Sequence, residues 1–185
     1  MLTLLRTKVK GIVNRFFGEV STNELVKRGM KVGKNFSRQQ GCFIDPTHCF
    51  LVTIGDNVTL SLRVTILAHD ASSKQLIGYT KIGKVSIGNN VFIGANSTIL
   101  PGVRIGNDVI IGANSVVTKN IPDDSVIVGN PAVFLKHSSE YMEELKLELT
   151  VSNKFDRSYR YSRKMTKEKI AEIQSSINNN RSFIE

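Results

Sequence analysis

From Ile87 the chain reads IGNNVF, IGANST, ILPGVR, IGNDVI, IGANSV and VTKNIP, with an aliphatic residue at 87, 93, 99, 105, 111 and 117. Four positions after each stand Val91, Ser97, Val103, Val109, Ser115 and Ile121, and glycine follows the aliphatic residue at 88, 94, 106 and 112. An earlier block has the same form: IGDNVT from Ile54, LSLRVT from Leu60 and ILAHDA from Ile66. A period of six is neither the 3.6 of a helix stripe nor the 2 of a simple strand. It fits a solenoid in which each hexad supplies one short strand and one corner, and three hexads close a triangular coil. The first position of each hexad then points inward and stacks on its equivalent in the next coil. The fifth also points inward at a tighter place, where Val, Ser or Ala fits. Glycine suits corners where the backbone needs room, and Asn or Asp suits turns because both tolerate left-handed backbone. With parallel strands at about 4.8 Å per coil, residues 48–135 make roughly five coils and a prism roughly 25 Å tall.

The pattern has one interruption and two irregular ends. Ile66 to Ile87 is 21 residues, three more than one 18-residue coil, and the excess falls within Asp70–Ser86, DASSKQLIGYTKIGKVS. Its Ser, Gly and Tyr content reads as an excursion over about 70–86, and insertions on a solenoid face often serve binding. His69 stands at its entrance. Apolar residues at 2, 5, 9, 12, 13, 16, 17 and 20 have helical spacing, with Arg6, Lys8, Lys10 and Arg15 on the polar side. Two readings stand for this segment: a cap on the open end of the solenoid, or a basic amphipathic helix on the inner membrane surface. Ser21 or Asn23 is positioned to start a second short helix ending near Gly29. Beyond Pro131 the β pattern stops. Ser138–Val151 and Thr166–Ile177 read as helices, and the Asn run at 178–180 as a frayed segment. The domain division is therefore 1–30, an N-terminal helical cap; 31–135, the β-helix; and 136–185, a C-terminal helical extension.

Composition adds limits. The 185 residues suit one sizeable domain. The first segment does not read as a signal peptide, and no apolar run spans a bilayer. Cys42 and Cys49 form neither a disulfide framework nor a metal motif, so a reducing cytoplasm is the expected location and buried thiols the expected role. Net charge is +9, carried at the ends: eight Lys/Arg against two acids in residues 1–34, eight against four in 154–185, seven against six in 35–135. Such ends suit a polyphosphorylated cofactor, a lipid-linked phosphate or an anionic surface, or are solvated helix faces. The basic segments lack interleaved aromatics, which speaks against nucleic acid.

There are three histidines: His48, His69 and His137. Zinc lyases built on β-helices need three, two of them close in sequence; spacings of 21 and 68 disfavour that chemistry. Acyl transfer from a thioester to an alcohol needs a base that titrates near neutrality, which histidine supplies. His69, at the mouth of the excursion, is the candidate, against a turn histidine with Asp70 as polar neighbour. Asp70, Asp45 and a backbone carbonyl all stand as candidates to orient it.

The segment ILAHDAS, followed by VSIGNNVFIGANSTILPGVRIGNDVIIGANSVVTKNIPDDSVIVGNPAVFLK, resembles the hexapeptide-repeat acyltransferases. It is similar in particular to galactoside and maltose O-acetyltransferases and to O-acetyltransferases encoded with polysaccharide-biosynthesis genes. The likeness covers about residues 30–137 and is specific across TILPGV, IGANSVVTK and GNPA. It implies a mainly β fold, a left-handed parallel β-helix, a homotrimer, and acetyl-CoA as donor with no metal required. It implies that His69 is the catalytic base; Asp70, its neighbour in the chain, is a candidate catalytic group by adjacency alone. In the cofactor groove between two subunits it implies Ala95 and Ala113 at the pantetheine, Thr118 and Lys119 near the adenosine, and Lys136 at the phosphates. Phe92 stands where the family often has Trp. His48 and Asp45 are candidates for the acceptor pocket. Residues 1–40 match no acceptor-binding pattern of the sugar enzymes, so the acceptor stays open. The expected reaction is direct acetyl transfer to a sugar hydroxyl. N-acetylation of an amino sugar, an antibiotic or serine acetyltransferase, and a non-catalytic β-helix scaffold are the alternatives.

Overall fold

The computed structural model describes residues 19–160, 165–177 and 181–185. The helix read over residues 2–20 lies almost wholly outside them, and so does the Asn run at 178–180. The chain divides into two compact units, one ending at Ser138 and one beginning at Ser139.

The first unit is a stack of short strands arranged as three parallel faces. The first face holds Lys31–Val32, Val52–Ile54, Val85–Ile87 and Arg104–Ile105, in that order. The second holds Ser37–Arg38, Thr59–Leu60, Phe92–Ile93, Val109–Ile111 and Ser125–Val128, and Val133–Lys136 closes it antiparallel. The third holds Phe43–Ile44, Thr65–Ile66, Thr98–Ile99 and Val116–Val117. The chain visits first, second and third face in turn, so each strand pairs with strands of the neighbouring coils.

Hexad positions one and five make the core. Ile87, Ile93, Ile99, Ile105, Ile111 and Val117 are buried, as are Val91, Val103 and Val109. Each such aliphatic side chain contributes about 1.5–3 kcal/mol when removed from water. Ser97 and Ser115 occupy two of the inward positions and are also buried; both hydroxyls donate to Gly112 O, at 3.0 and 2.7 Å. That leaves no unmet hydroxyl inside the prism.

The corner between first and second faces is locked twice. Asn35, Asn57, Asn90 and Asp108 all have φ of 55–56° and pass a hydrogen bond from side chain to side chain along the stack at 2.9 Å. Beside them glycines press on the next coil: a Cβ on Gly88 would lie 2.5 Å from Gly106 O.

Spacing along the stack is not constant. Equivalent residues lie 22 apart between the first and second coils, 33 between the second and third, then 18, then 16. The excursion is thus fifteen residues longer than the 18-residue coil, not three. Ile66 and Ile87 sit on neighbouring faces rather than stacked, so counting from one to the other does not measure one turn. The stack also includes a coil from Lys31 to Ile44, ahead of residue 48. All three departures from 18 fall at one corner, between the third and first faces.

Ahead of the first strand, Ser21 caps the helix Thr22–Lys27, accepting from Glu24 N–H at 3.2 Å. Gly29 follows at φ 103°, where a Cβ would lie 2.9 Å from Phe50 Cβ. In the second unit, a helix that opens at Ser138 and runs to Val151 precedes a two-stranded parallel pair, Lys154–Phe155 with Phe183–Ile184. A further helix, Lys167–Ser176, is capped by Thr166. No helix among the described residues is long and apolar enough to cross a membrane.

Candidate active site

The irregular corner gathers the titratable groups. In the first coil the chain leaves Ile44 and turns through Asp45-Pro46-Thr47-His48 into a short 3-10 turn, Cys49–Leu51. In the second coil it leaves Ile66, passes Ala68, and departs from the prism at His69. His69 and Asp70 pair antiparallel with Ile82 and Lys81, so the excursion is a closed loop whose neck begins at His69. Its short helix, Lys74–Ile77, ends on Gly78 in left-handed backbone.

Because Ile44 stacks beside Ile66, Asp45 comes to lie under His69. The Asp45 side chain is fully buried, and its carboxylate accepts from five donors. Oδ1 takes Thr47 N–H at 3.0 Å, Thr47 Oγ1–H at 2.7 Å and His48 N–H at 3.2 Å. Oδ2 takes Ala68 N–H at 3.2 Å and His69 Nδ1 at 2.5 Å. Burial pushes this carboxyl up, but the hydrogen bonds from His69, Thr47 and His48 outweigh it and hold the group at about 2. An ionised carboxylate only accepts, so the His69 proton sits on Nδ1 and Nε2 keeps its lone pair.

His48 lies against this pair. Its ring centroid is 4.8 Å from that of His69, and its Nδ1 is 3.6 Å from Asp45 Oδ2 and 2.9 Å from Thr47 Oγ1. Since the Thr47 hydroxyl proton points at Asp45, His48 Nδ1 donates to Thr47 and its Nε2 is likewise left with a lone pair. Both imidazoles are partly open, with side-chain exposures of 28% and 33%.

Asp70 has another position than the one expected of it. Its carboxylate pairs with Lys81 Nζ at 2.8 Å and accepts from Ser72 N–H at 2.9 Å. The hydrogen bond from Lys81 is the main reason it is held below the usual carboxylate range. It ties the neck of the loop, while Asp45 makes the contact to the His69 ring. Asp45, expected beside the acceptor, is itself fully buried, next to the two partly open imidazoles.

The remaining candidates are spread over the prism. Thr118 and Lys119 are exposed at the same corner as His69, two coils further on. Ala95 and Ala113 lie one coil apart at the corner between second and third faces, where Ala95 O accepts from Asn114 N–H at 2.8 Å. Phe92 points outward on the second face, 45% exposed, and Lys136 lies half-buried on the antiparallel strand of that face. Sequence reasoning missed Thr47 and Lys81. The run Asp45-Pro46-Thr47 did carry a signal, since Asp followed two residues later by Thr favours a side-chain-closed turn.

Comparison with known proteins agrees with this architecture. Residues 84–119 match the model of the bacterial transferase hexapeptide family (six repeats). The galactoside O-acetyltransferase of Escherichia coli (strain K12) is 31% identical over 162 residues, covering 78% of each chain. Across the first three curated relatives the chain spans 66% to 78% of their length. Among solved structures, a hexapeptide-repeat acetyltransferase of Vibrio cholerae complexed with acetyl coenzyme A superimposes with a TM-score of 0.54 at 25% identity, over 60% of this chain and 61% of that one. A maltose O-acetyltransferase of Clostridium difficile 630 gives 0.53 at 29% identity, over 74% and 88%. The chain belongs to the hexapeptide-repeat transferase family, among its acetyltransferases, whose donor is acetyl-CoA.

Proposed function

We propose that the protein moves an acetyl group from acetyl-CoA to a hydroxyl of a sugar or polysaccharide precursor, with His69 as general base and Asp45 as the carboxylate that orients it. The observation that carries this reading is the His69–Asp45 contact of 2.5 Å. It fixes the ring so that Nε2 faces outward with a free lone pair. The acceptor hydroxyl gives its proton to Nε2 as its oxygen attacks the thioester carbonyl. The C–S bond then breaks, and the imidazolium returns the proton to the departing thiolate. Both substrates are present together, so positioning supplies much of the rate and no covalent acetyl-enzyme forms. Backbone N–H groups of a neighbouring coil suit the oxyanion. The sugar acceptor rests on the galactoside and maltose enzymes above.

The cofactor groove is proposed to hold Phe92, Ala95, Ala113, Thr118, Lys119 and Lys136, with His48 beside the acceptor. His69 and the Ala95–Ala113 pair stand at different corners of one prism. The proposed homotrimer would have to join these two corners across a subunit boundary to make one intersubunit site.

The test is CoA release, followed with a thiol reagent, against a panel of sugars and nucleotide sugars. Turnover on a sugar hydroxyl that falls by about 10²-fold or more in His69→Ala is expected for loss of a general base. Near-normal turnover in His69→Ala would sink the mechanism.

A further inference from the structure

The corner that holds the proposed base also has the composition of a metal site. Asp45, His48 and His69 each offer one ligand atom, and these atoms all lie within 4.8 Å of one another. Around a tetrahedral zinc with bonds of about 2.0–2.1 Å, ligand atoms stand roughly 3.3 Å apart, so the separations among the three need change by no more than about 1.5 Å to surround an ion. Two imidazoles and one carboxylate, with a fourth position open, is a donor set that zinc and its neighbours in the first transition row accept.

Three further features favour an ion here. The Asp45 carboxylate is ionised and buried, so a negative charge stands ready behind the rings. The nitrogens nearest the carboxylate are Nδ1 of His69, 2.5 Å from Asp45 Oδ2, and Nδ1 of His48, 3.6 Å from it, so an ion seated against Asp45 takes the place of the Nδ1 protons. Both rings are reachable from solvent. The wide spacing of the histidines in sequence, which argued against a zinc lyase, does not keep these two apart: a coil of 22 residues sets His48 beside His69.

We propose that Asp45, His48 and His69 form an inhibitory site for a divalent transition-metal ion, zinc being the best fit; with the ion on Nδ1 the neutral His69 ring carries its proton on Nε2 and so lacks the lone pair it needs as base. The proposal rests on the catalytic reading above for its regulatory half, and on the three side chains alone for its binding half. The ion is not required for acetyl transfer; it switches it off.

The binding half is tested on the full-length protein by calorimetric titration with zinc chloride, supported by the visible absorption of cobalt(II) added alone. One ion per chain is expected, with affinity about tenfold or more weaker in His48→Ala and unchanged in His137→Ala, whose imidazole lies elsewhere. Absence of binding at millimolar zinc, or binding indifferent to His48→Ala, overturns the proposal. The regulatory half is read from CoA release: zinc should inhibit wild type and a chelator should restore it. Stoichiometric binding through His48 without inhibition overturns that half. Zinc binding that fails while His69-dependent transfer holds overturns the site and leaves the enzyme reading intact.

Discussion

Asp45 Oδ2 lies 2.5 Å from His69 Nδ1, although 23 residues separate the two in sequence and they belong to consecutive coils. Each residue settles a property of the other. The carboxylate selects the tautomer of the ring, and the ring supplies one of the five hydrogen bonds that make the buried charge tolerable.

Asp45→Asn should therefore lower kcat by about 10²- to 10⁴-fold, since an amide no longer fixes the proton on Nδ1. Asp70→Asn should change it by less than about fivefold, because that carboxylate serves Lys81 at the surface. Steady-state kinetics on the two variants, at saturating acetyl-CoA, separates the carboxylates. Equal losses would show that the loop neck, not Asp45, governs the base.

The same carboxyl sets an acid limit on stability. Its value in the folded protein, about 2, lies below the ordinary 3.8. The unfolded chain therefore takes up the proton first as pH falls. The contribution of this group is full above about pH 4 and is lost as pH drops through about 2, amounting to about 2 kcal/mol. Urea unfolding of wild type and Asp45→Asn should show a stability gap that narrows by about that much over this window.

Gly88→Ala should destabilise the stack by about 1–3 kcal/mol, because the new methyl meets Gly106 O at 2.5 Å and the backbone of neither coil can withdraw alone. Thermal unfolding should register this as a fall of several degrees. Gly78→Ala meets no atom within 4 Å and carries only the cost of its φ of 78°, about 1–2 kcal/mol, confined to the loop.

At Asn90 two properties can be parted. The residue has φ 56°, accepts from Asn57 and donates to Asp108. Asn90→Gly keeps the backbone and loses the ladder, whereas Asn90→Val loses both. The valine variant should be less stable than the glycine variant by about 1–2 kcal/mol in denaturant titration.

What the sequence displays and what it hides can be traced to particular positions. The inward column from Ile87 to Val117 is legible because each member fills the same kind of slot, and the aliphatic choice repeats. The first coil lies inside the bounds read for the β-helix, but its hexads are not legible, since Arg38 stands in register with Leu60 where an aliphatic residue would continue the pattern. Its half-buried guanidinium donates to Val20 O instead. With that coil hidden, nothing in the spacing showed that Asp45 would fall under His69. His69 itself was legible as the residue where the hexads break off. The choice between Asp45 and Asp70 was not, because sequence neighbours compete there with a partner supplied by stacking.

The three unequal coils share a consequence for how such a chain can change. A rung of a solenoid touches only the rungs above and below it. Lengthening one edge of the triangle thus leaves the other two in register. The edge that carries His69 has been extended by four residues in one rung and fifteen in the next, and shortened by two in another. The edge bearing the Asn–Asp ladder has kept its step throughout. Variation in length is channelled into a single rim of the prism, so a lineage can re-cut the ground around His69, insertion by insertion, while the rest of the frame is inherited unchanged.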